Sequence, residues 1–181
     1  MNIQFDGKVV LITGGSAGIG LAAAELYGSL GAKVAICGTN AEKLTHAADG
    51  LKEKGITVFS ETCDVASGED LQRFADDTEK ALGPIDIWVS NAALCPQYSI
   101  LDTDDALWDK TVDTNMKSVF LGAKIAFRKM KDRGGVILLA SSFAALFPSV
   151  GSGVYAATKA AVTSMIKTLA AEMAPYGIRV N

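Results

Sequence analysis

Cysteine and histidine are scarce in this chain. Its three cysteines, Cys37, Cys63 and Cys95, and its single histidine, His46, show none of the close spacings that hold a metal ion. No metal site is therefore expected, and an odd number of scattered thiols fits a reducing cytoplasm. His46 lies in "AEKLTHAADGLKEK", a mostly polar helical stretch without convergent partners, and reads as a solvated side chain. Long apolar runs are also missing. The nearest, "GVILLASSFAALFPSV", carries two serines and then a proline, so nothing reaches membrane-spanning length. Runs of like charge are absent, and a net charge of −3 with scattered lysines makes a poor nucleic-acid binder. The start, "MNIQFDGKVVLITGG", has neither a basic leader nor a cleavage site, so no secretory signal is expected. Internal repeats, low-complexity segments and linkers are lacking too.

What is present is apolar and strongly periodic. The 181 residues suffice for one sizeable core, and a hydrophobic content of 49% with 18 glycines argues for compactness against disorder. Short runs rich in Val and Ile, bounded by glycine, alternate with helical stretches: "KVVLIT", "KVAICG", "ITVFSE", "IDIWVS", "GVILLAS" and the start of a sixth, "IRVN". Such runs are what strands buried on both faces look like. Helices are expected between them, among them one long helix from about Asp104 to Lys131 and another from Ser152 to Met173. Strict alternation predicts an α/β fold, a doubly wound parallel sheet with right-handed crossovers and helices on both faces.

The first strand runs into "TGGSAGIG", Thr13 to Gly20, and then a helix. A glycine-rich strand-to-helix turn lets the backbone approach a pyrophosphate, which then lies on the helix N-terminus. Two registers are open. Gly18, Gly20 and Ala23 match the G-x-G-x-x-A spacing but start well past the strand, whereas Gly14, Gly18 and Gly20 put the first glycine at the turn, and we prefer the latter. No Gly-Lys-Ser/Thr follows, which excludes a P-loop.

"YAATK", Tyr155 to Lys159, places a phenol and an ammonium four residues apart, on one helix face. The bland reading is a surface pair snorkelling over apolar neighbours. Together with Thr13-Gly14-x-x-x-Gly18-Ile19-Gly20, however, the pair resembles the short-chain dehydrogenase/reductase family. Asp64-Val65 resembles its adenine-contacting pair, and "SNAA", Ser90 to Ala93, stands at its Asn-Asn-Ala-Gly motif. Asn115 resembles its catalytic asparagine and Ser142 its catalytic serine. Ser90 and Ala93 depart from the usual asparagine and glycine, while Asn91 is kept.

The resemblance implies a Rossmann-type sheet of order 3-2-1-4-5-6. Residues 1–181 would form a single NAD(P)-binding domain, incomplete at its carboxyl end, with the last strand missing. It implies an oxidoreductase moving a hydride between nicotinamide and a small-molecule ketone or secondary alcohol. Tyr155 would be the general acid and base; a free tyrosine titrates near 10, and a nearby ammonium such as Lys159 favours the phenolate. Ser142 would hydrogen-bond the substrate oxygen, and Asn115 would hold a water relaying protons towards Lys159. The implied cofactor contacts are Gly14, Ser16, Gly18, Ile19 and Gly20, then Thr39, Asp64, Val65, Asn91 and Ala92, with Tyr155 and Lys159 closing the set. Asp64 equally reads as a cap for the next helix. Retention of all four catalytic positions weighs against a silent dinucleotide-binding sensor or scaffold.

The cofactor is expected to be NADP rather than NAD. Gly38 stands where NAD enzymes of the family often carry an aspartate, and Thr39 where its NADP enzymes often carry an arginine. Thr39, Asn40 and Lys43 offer donors for a 2′-phosphate, although Thr39 to Glu42 also reads as a capping box. Cys95 reads as a plain loop thiol. The two long helices are apolar beyond one face, which with the resemblance implies a homo-oligomer, a tetramer or a dimer.

Overall fold

The computed structural model describes residues 4–181. Six parallel strands form one sheet: β1 (Val9–Thr13), β2 (Lys33–Gly38), β3 (Val58–Thr62), β4 (Ile87–Ser90), β5 (Gly135–Leu139) and β6 (Ile178–Val180). Their order is β3-β2-β1-β4-β5-β6, as expected. The last strand, expected to be missing, is present: Ile178–Val180 pairs with Gly135–Ile137 of β5. The strand begins at Ile178, where the run "IRVN" of the sequence places it.

Every residue of β1 is buried, and so is every residue of β4. The reason is a core on each face. Val9 and Leu11 point to one side, with Trp88, Phe74 and Val162. Val10 and Ile12 point to the other, with Ile36, Leu44 and Leu51. Alternate residues thus serve opposite layers, which makes the strands continuous apolar runs. The helices α1 (Gly18–Ser29) and α2 (Ala41–Glu53) supply the second layer; α3 (Gly68–Leu82), α5 (Ser118–Met130) and α6 (Gly153–Met173) supply the first.

The helix expected over 104–131 is not continuous. It comprises α4 (Asp105–Val112), a π-turn at Asp113–Lys117, and α5. The widened turn holds Asn115, which is fully buried. A π-turn inserts an extra residue without ending the helix, so composition gives no sign of it.

Candidate functional site

The carboxyl ends of β1 to β4 open onto a cleft of about 860 Å³. Such a crevice, where strand order reverses about β1 and β4, is the usual ligand site of an open α/β sheet. Gly14, Ser16 and Ile19 line it from the loop after β1, and Thr39 from the loop after β2. Asp64 and Val65 line it after β3, and Asn91 and Ala92 after β4. Gly18 and Gly20 are not in its walls. They shape the turn.

Gly14 makes the turn at φ +67°, and a β-carbon there would come within 2.9 Å of Ala92 Cα. Gly18, also at positive φ, opens α1. The register with Gly14 at the turn is therefore the one adopted. At Gly20 a β-carbon would collide with the Gly14 carbonyl oxygen and the Asn91 amide nitrogen. Only glycine lets α1 start this close to the ends of β1 and β4.

Thr13 ties those two strand ends together. Its hydroxyl, only 4% exposed, accepts the Asn91 N–H at 3.0 Å and the Ala92 N–H at 3.1 Å. It donates to Val89 O at 3.4 Å. The Asn91 side chain returns the link, donating from Nδ2 to Thr13 O and Gly14 O at 3.0 and 3.2 Å. Asn91 therefore braces the glycine turn from below.

The cradle fits the pyrophosphate of a dinucleotide. Asn40, Ser67 and Asp104 each cap α2, α3 and α4 with a side-chain oxygen. At α1 the N-cap is Ala17, which offers no side-chain bond, and the first turn holds no acidic residue. The open N–H groups and the positive end of that helix are left for an anion.

Around the second strand the cap is Asn40, not Thr39: its Oδ1 accepts Lys43 N–H at 2.8 Å. The cap falls one residue after Thr39, with Lys43 rather than Glu42 three residues on, so no capping box forms and Thr39 is left in the cleft wall. Asn40 is spent on the cap. At Gly38 a β-carbon would meet Ser16 Oγ at 2.9 Å, so Ser16 crowds the place where an acidic side chain would begin. Asp64 does not cap α3. Ser67 does, and Asp64 Oδ1 instead accepts Ala66 N–H at 3.0 Å in a tight local turn.

The residues expected to do chemistry stand beyond this cleft and join it through Leu94. Asn115 Oδ1 accepts Leu94 N–H at 2.7 Å, and its Nδ2 donates to Leu94 O at 2.8 Å and to Thr158 Oγ1 at 3.2 Å. Thr158 in turn donates to Tyr155 O at 2.7 Å. Lys159 is only 3% exposed, which excludes a snorkelling surface pair. Its Nζ donates to Ala140 O at 2.6 Å and lies 5.8 Å from the Tyr155 ring centroid. Burial pulls this ammonium below the usual lysine range, opposed by the nearby Cys95 thiol. Ser142 follows β5, at the head of a 3-10 turn (Phe143–Ala145) packed on α6, and its Oγ accepts Ala144 N–H at 3.2 Å.

Reading the sequence missed the residues that hold these groups in place. Ser141 Oγ lies 2.6 Å from Thr163 Oγ1 and donates to Lys159 O at 3.3 Å, pinning the end of β5 to α6. Thr158 was missed as well, and so were the bonds of Thr13, which the sequence marks only as part of the glycine motif. All are small hydroxyl residues with at least one partner far along the chain, so no local pattern marks those bonds. His46 and Cys95 are exposed, and the described residues contain no cluster able to hold a metal ion. None of their helices is long and apolar enough to cross a membrane.

A family model described as short chain dehydrogenase matches residues 8–181. The human protein named Dehydrogenase/reductase SDR family member 4 is 39% identical over 176 residues, covering 96% of this chain and 63% of its own length. L-rhamnose 1-dehydrogenase (NAD(P)(+)) of Azotobacter vinelandii is 37% identical over 183 residues, covering 96% of this chain and 70% of its own. Among solved structures, a 7 alpha-hydroxysteroid dehydrogenase complexed with NADH and 7-oxo glycochenodeoxycholic acid superposes with a TM-score of 0.94. It is 32% identical and covers 99% of this chain and 71% of that one. The chain thus spans about 63% of the length of its human relative. With six strands in the matching order and a family model that runs from the start of the sheet to the last residue, this chain belongs to the short-chain dehydrogenase family.

Proposed function

We propose that this chain acts as an NAD(P)-dependent oxidoreductase on a carbonyl compound or secondary alcohol, residues 1–181 serving as its NAD(P)-binding domain. The observation that carries the reading is Lys159, a buried ammonium beside a phenol. Burying a cation is costly, and among the described residues a main-chain carbonyl is its one hydrogen-bond partner. A fold keeps such a group where its charge is needed.

When bound, the nicotinamide exchanges a hydride with the substrate carbon. Tyr155 gives a proton to the substrate oxygen in reduction and takes it back in oxidation. Ser142 Oγ donates a hydrogen bond to that oxygen. Lys159 holds its positive charge against the tyrosine and would bind the cofactor ribose. Asn115 acts by position: both hydrogens of its Nδ2 are given to Leu94 O and Thr158 Oγ1, so a relaying water beside it would meet its Oδ1 or a main-chain group.

Among the two nicotinamide cofactors, NADP is favoured. Thr39 and Ser16 line the cleft with hydroxyls able to donate, and no carboxylate stands at Gly38 to repel a 2′-phosphate. A second copy of the chain would dock on α5 and α6, where Phe120, Lys124, Phe127, Met165, Leu169 and Tyr176 line a groove of about 660 Å³, giving a dimer or a tetramer. Three free thiols fit a cytoplasmic setting.

Tyr155→Phe tests the reading. Turnover should fall on the order of 10²- to 10⁴-fold, while cofactor binding followed by fluorescence stays unchanged. A variant that keeps more than about a tenth of the wild-type rate would remove Tyr155 from the proton transfer.

A further inference from the structure

Charge avoids the proposed reaction site. From Ile87 to Leu101, and again from Gly134 to Thr158, the chain holds no Asp, Glu, Lys, Arg or His, although Asp, Glu, Lys and Arg make up 20% of it overall. These two segments are the arms on either side of Tyr155: β4 with the loop after it, and β5 with the loop into α6. They touch. The Tyr98 N–H donates to Gly151 O at 2.9 Å. Ile100 packs so closely on Gly153 that a β-carbon there would collide with it. The loops therefore meet over the first turn of α6, just ahead of Tyr155.

The surface they present is apolar. Phe143, next to Ser142, stacks on Phe147 with ring centroids 4.8 Å apart, and both rings are largely exposed. Leu146, Val150, Ile100 and Leu101 are each more exposed than buried, Leu101 at 96%. Exposed apolar groups gathered in one place mark a contact for something apolar. Among the described residues these two loops bring no free cation to pair with an anionic substrate. Lys159 is buried and donates to Ala140 O, and Lys110 belongs to the nucleotide cleft. A carboxylate or phosphate held between these loops would lose its water and find no partner.

We propose that the substrate is an uncharged, largely hydrocarbon ketone or secondary alcohol, gripped along its chain or ring by these two loops while its oxygen lies at Ser142 and Tyr155. The proposal rests on the oxidoreductase reading above and names the chemical class that reading leaves open.

The test uses straight-chain 2-alkanones of increasing length and, for each, the ketone of equal length ending in a carboxylate. With the neutral series, kcat/KM should rise about three- to fourfold per added methylene until the pocket is filled. The carboxylate partner should be at least about tenfold worse than its neutral twin. Phe147→Lys, at an exposed position outside the reacting groups, should narrow that gap severalfold. A kcat/KM that is flat with chain length, a carboxylate preferred over its twin, or a gap unmoved by Phe147→Lys overturns the proposal. The same pairs are titrated by calorimetry onto the Tyr155→Phe variant with cofactor present. Preference for the neutral ligand there, with no ketone turned over by the wild type, upholds the pocket and refutes the oxidoreductase reading alone. Equal or stronger binding of the carboxylate, or binding of neither, overturns the pocket assignment whatever the turnover.

Discussion

Replacing Thr13 by valine isolates one hydroxyl that the site depends on. The exchange keeps the branched shape and the strand propensity, so β1 has no reason to move. What disappears is the acceptor shared by the Asn91 and Ala92 N–H groups. A buried donor left without a partner costs about 1–3 kcal/mol. Both N–H groups belong to half-buried residues, so the lower end applies to each, and the pair costs about 2 kcal/mol. The lost bond to Val89 O adds little at 3.4 Å. For a chain of this size, about 2 kcal/mol lowers the melting temperature by about 4–8 °C.

Urea denaturation reads this directly as a lower midpoint with an unchanged slope. Thr13→Ser is the control, since it keeps the hydroxyl and removes only a methyl, at a cost of about 1 kcal/mol. The two variants separate by amide exchange: protection at Asn91 and Ala92 falls with valine and persists with serine. Cofactor affinity should follow the same order, because both residues line the cleft. A valine variant within about 0.5 kcal/mol of wild type, the size of an ordinary surface change, would refute the assignment of Thr13 as the tie between β1 and β4.

Comparing kcat/KM for the two reduced cofactors should favour NADPH; a preference for NADH above about tenfold, or 1.4 kcal/mol, would show that the open position at Gly38 was wrongly weighed. Sedimentation at micromolar concentration should show a dimer or tetramer, and Phe120→Glu on the α5–α6 groove should shift it to monomer; a wild-type monomer refutes the docking of a second copy. A hydrogen bond from Lys129 at 2.6 Å holds the Asp76 carboxyl below its usual range, so it contributes stability above about pH 4 that is lost as pH falls through the lowered value. Asp76→Asn should therefore lose less stability than wild type between about pH 5 and 2, and parallel curves would sink that link.

The sheet was legible in the sequence because its strands are buried on both faces. Val9 to Thr13 and Ile87 to Ser90 stand out as unbroken apolar runs, and their limits are read to within a residue or two. The cleft was legible through glycine, since Gly14 and Gly20 occupy positions where a β-carbon would clash. The cap of α2 was displaced by one residue because Thr39 and Asn40 are both good caps. Only backbone geometry, extended at Asn40 with its side chain turned to Lys43, decides between them. The π-turn could not be read at all. It holds Asn115, whose carboxamide makes two of its three hydrogen bonds to Leu94, far back along the chain, and helical periodicity cannot report a bond of that range.

That carboxamide also explains how the two halves of the site keep their relation. The stretch from Asn91 to Leu94 is held at both ends. Asn91 is fixed to the end of β1 by Thr13 and by its own amide, and Leu94 is fixed to the π-turn by Asn115. Asn115 reaches on to Thr158, and Thr158 to the main chain of Tyr155. On the other side, Lys159 and Ser141 fasten α6 to the end of β5, beside Ser142. The glycine turn, the phenol, the ammonium and the serine therefore hang on one continuous set of short bonds between four elements. Hydrogen bonds of this kind are individually modest in water, but several that share one geometry leave each group little freedom to drift. The proposed reaction, which would bring a carbonyl carbon, its oxygen and a dinucleotide into register, calls for that restraint, since misplacement of about 1 Å can cost a hundredfold in rate.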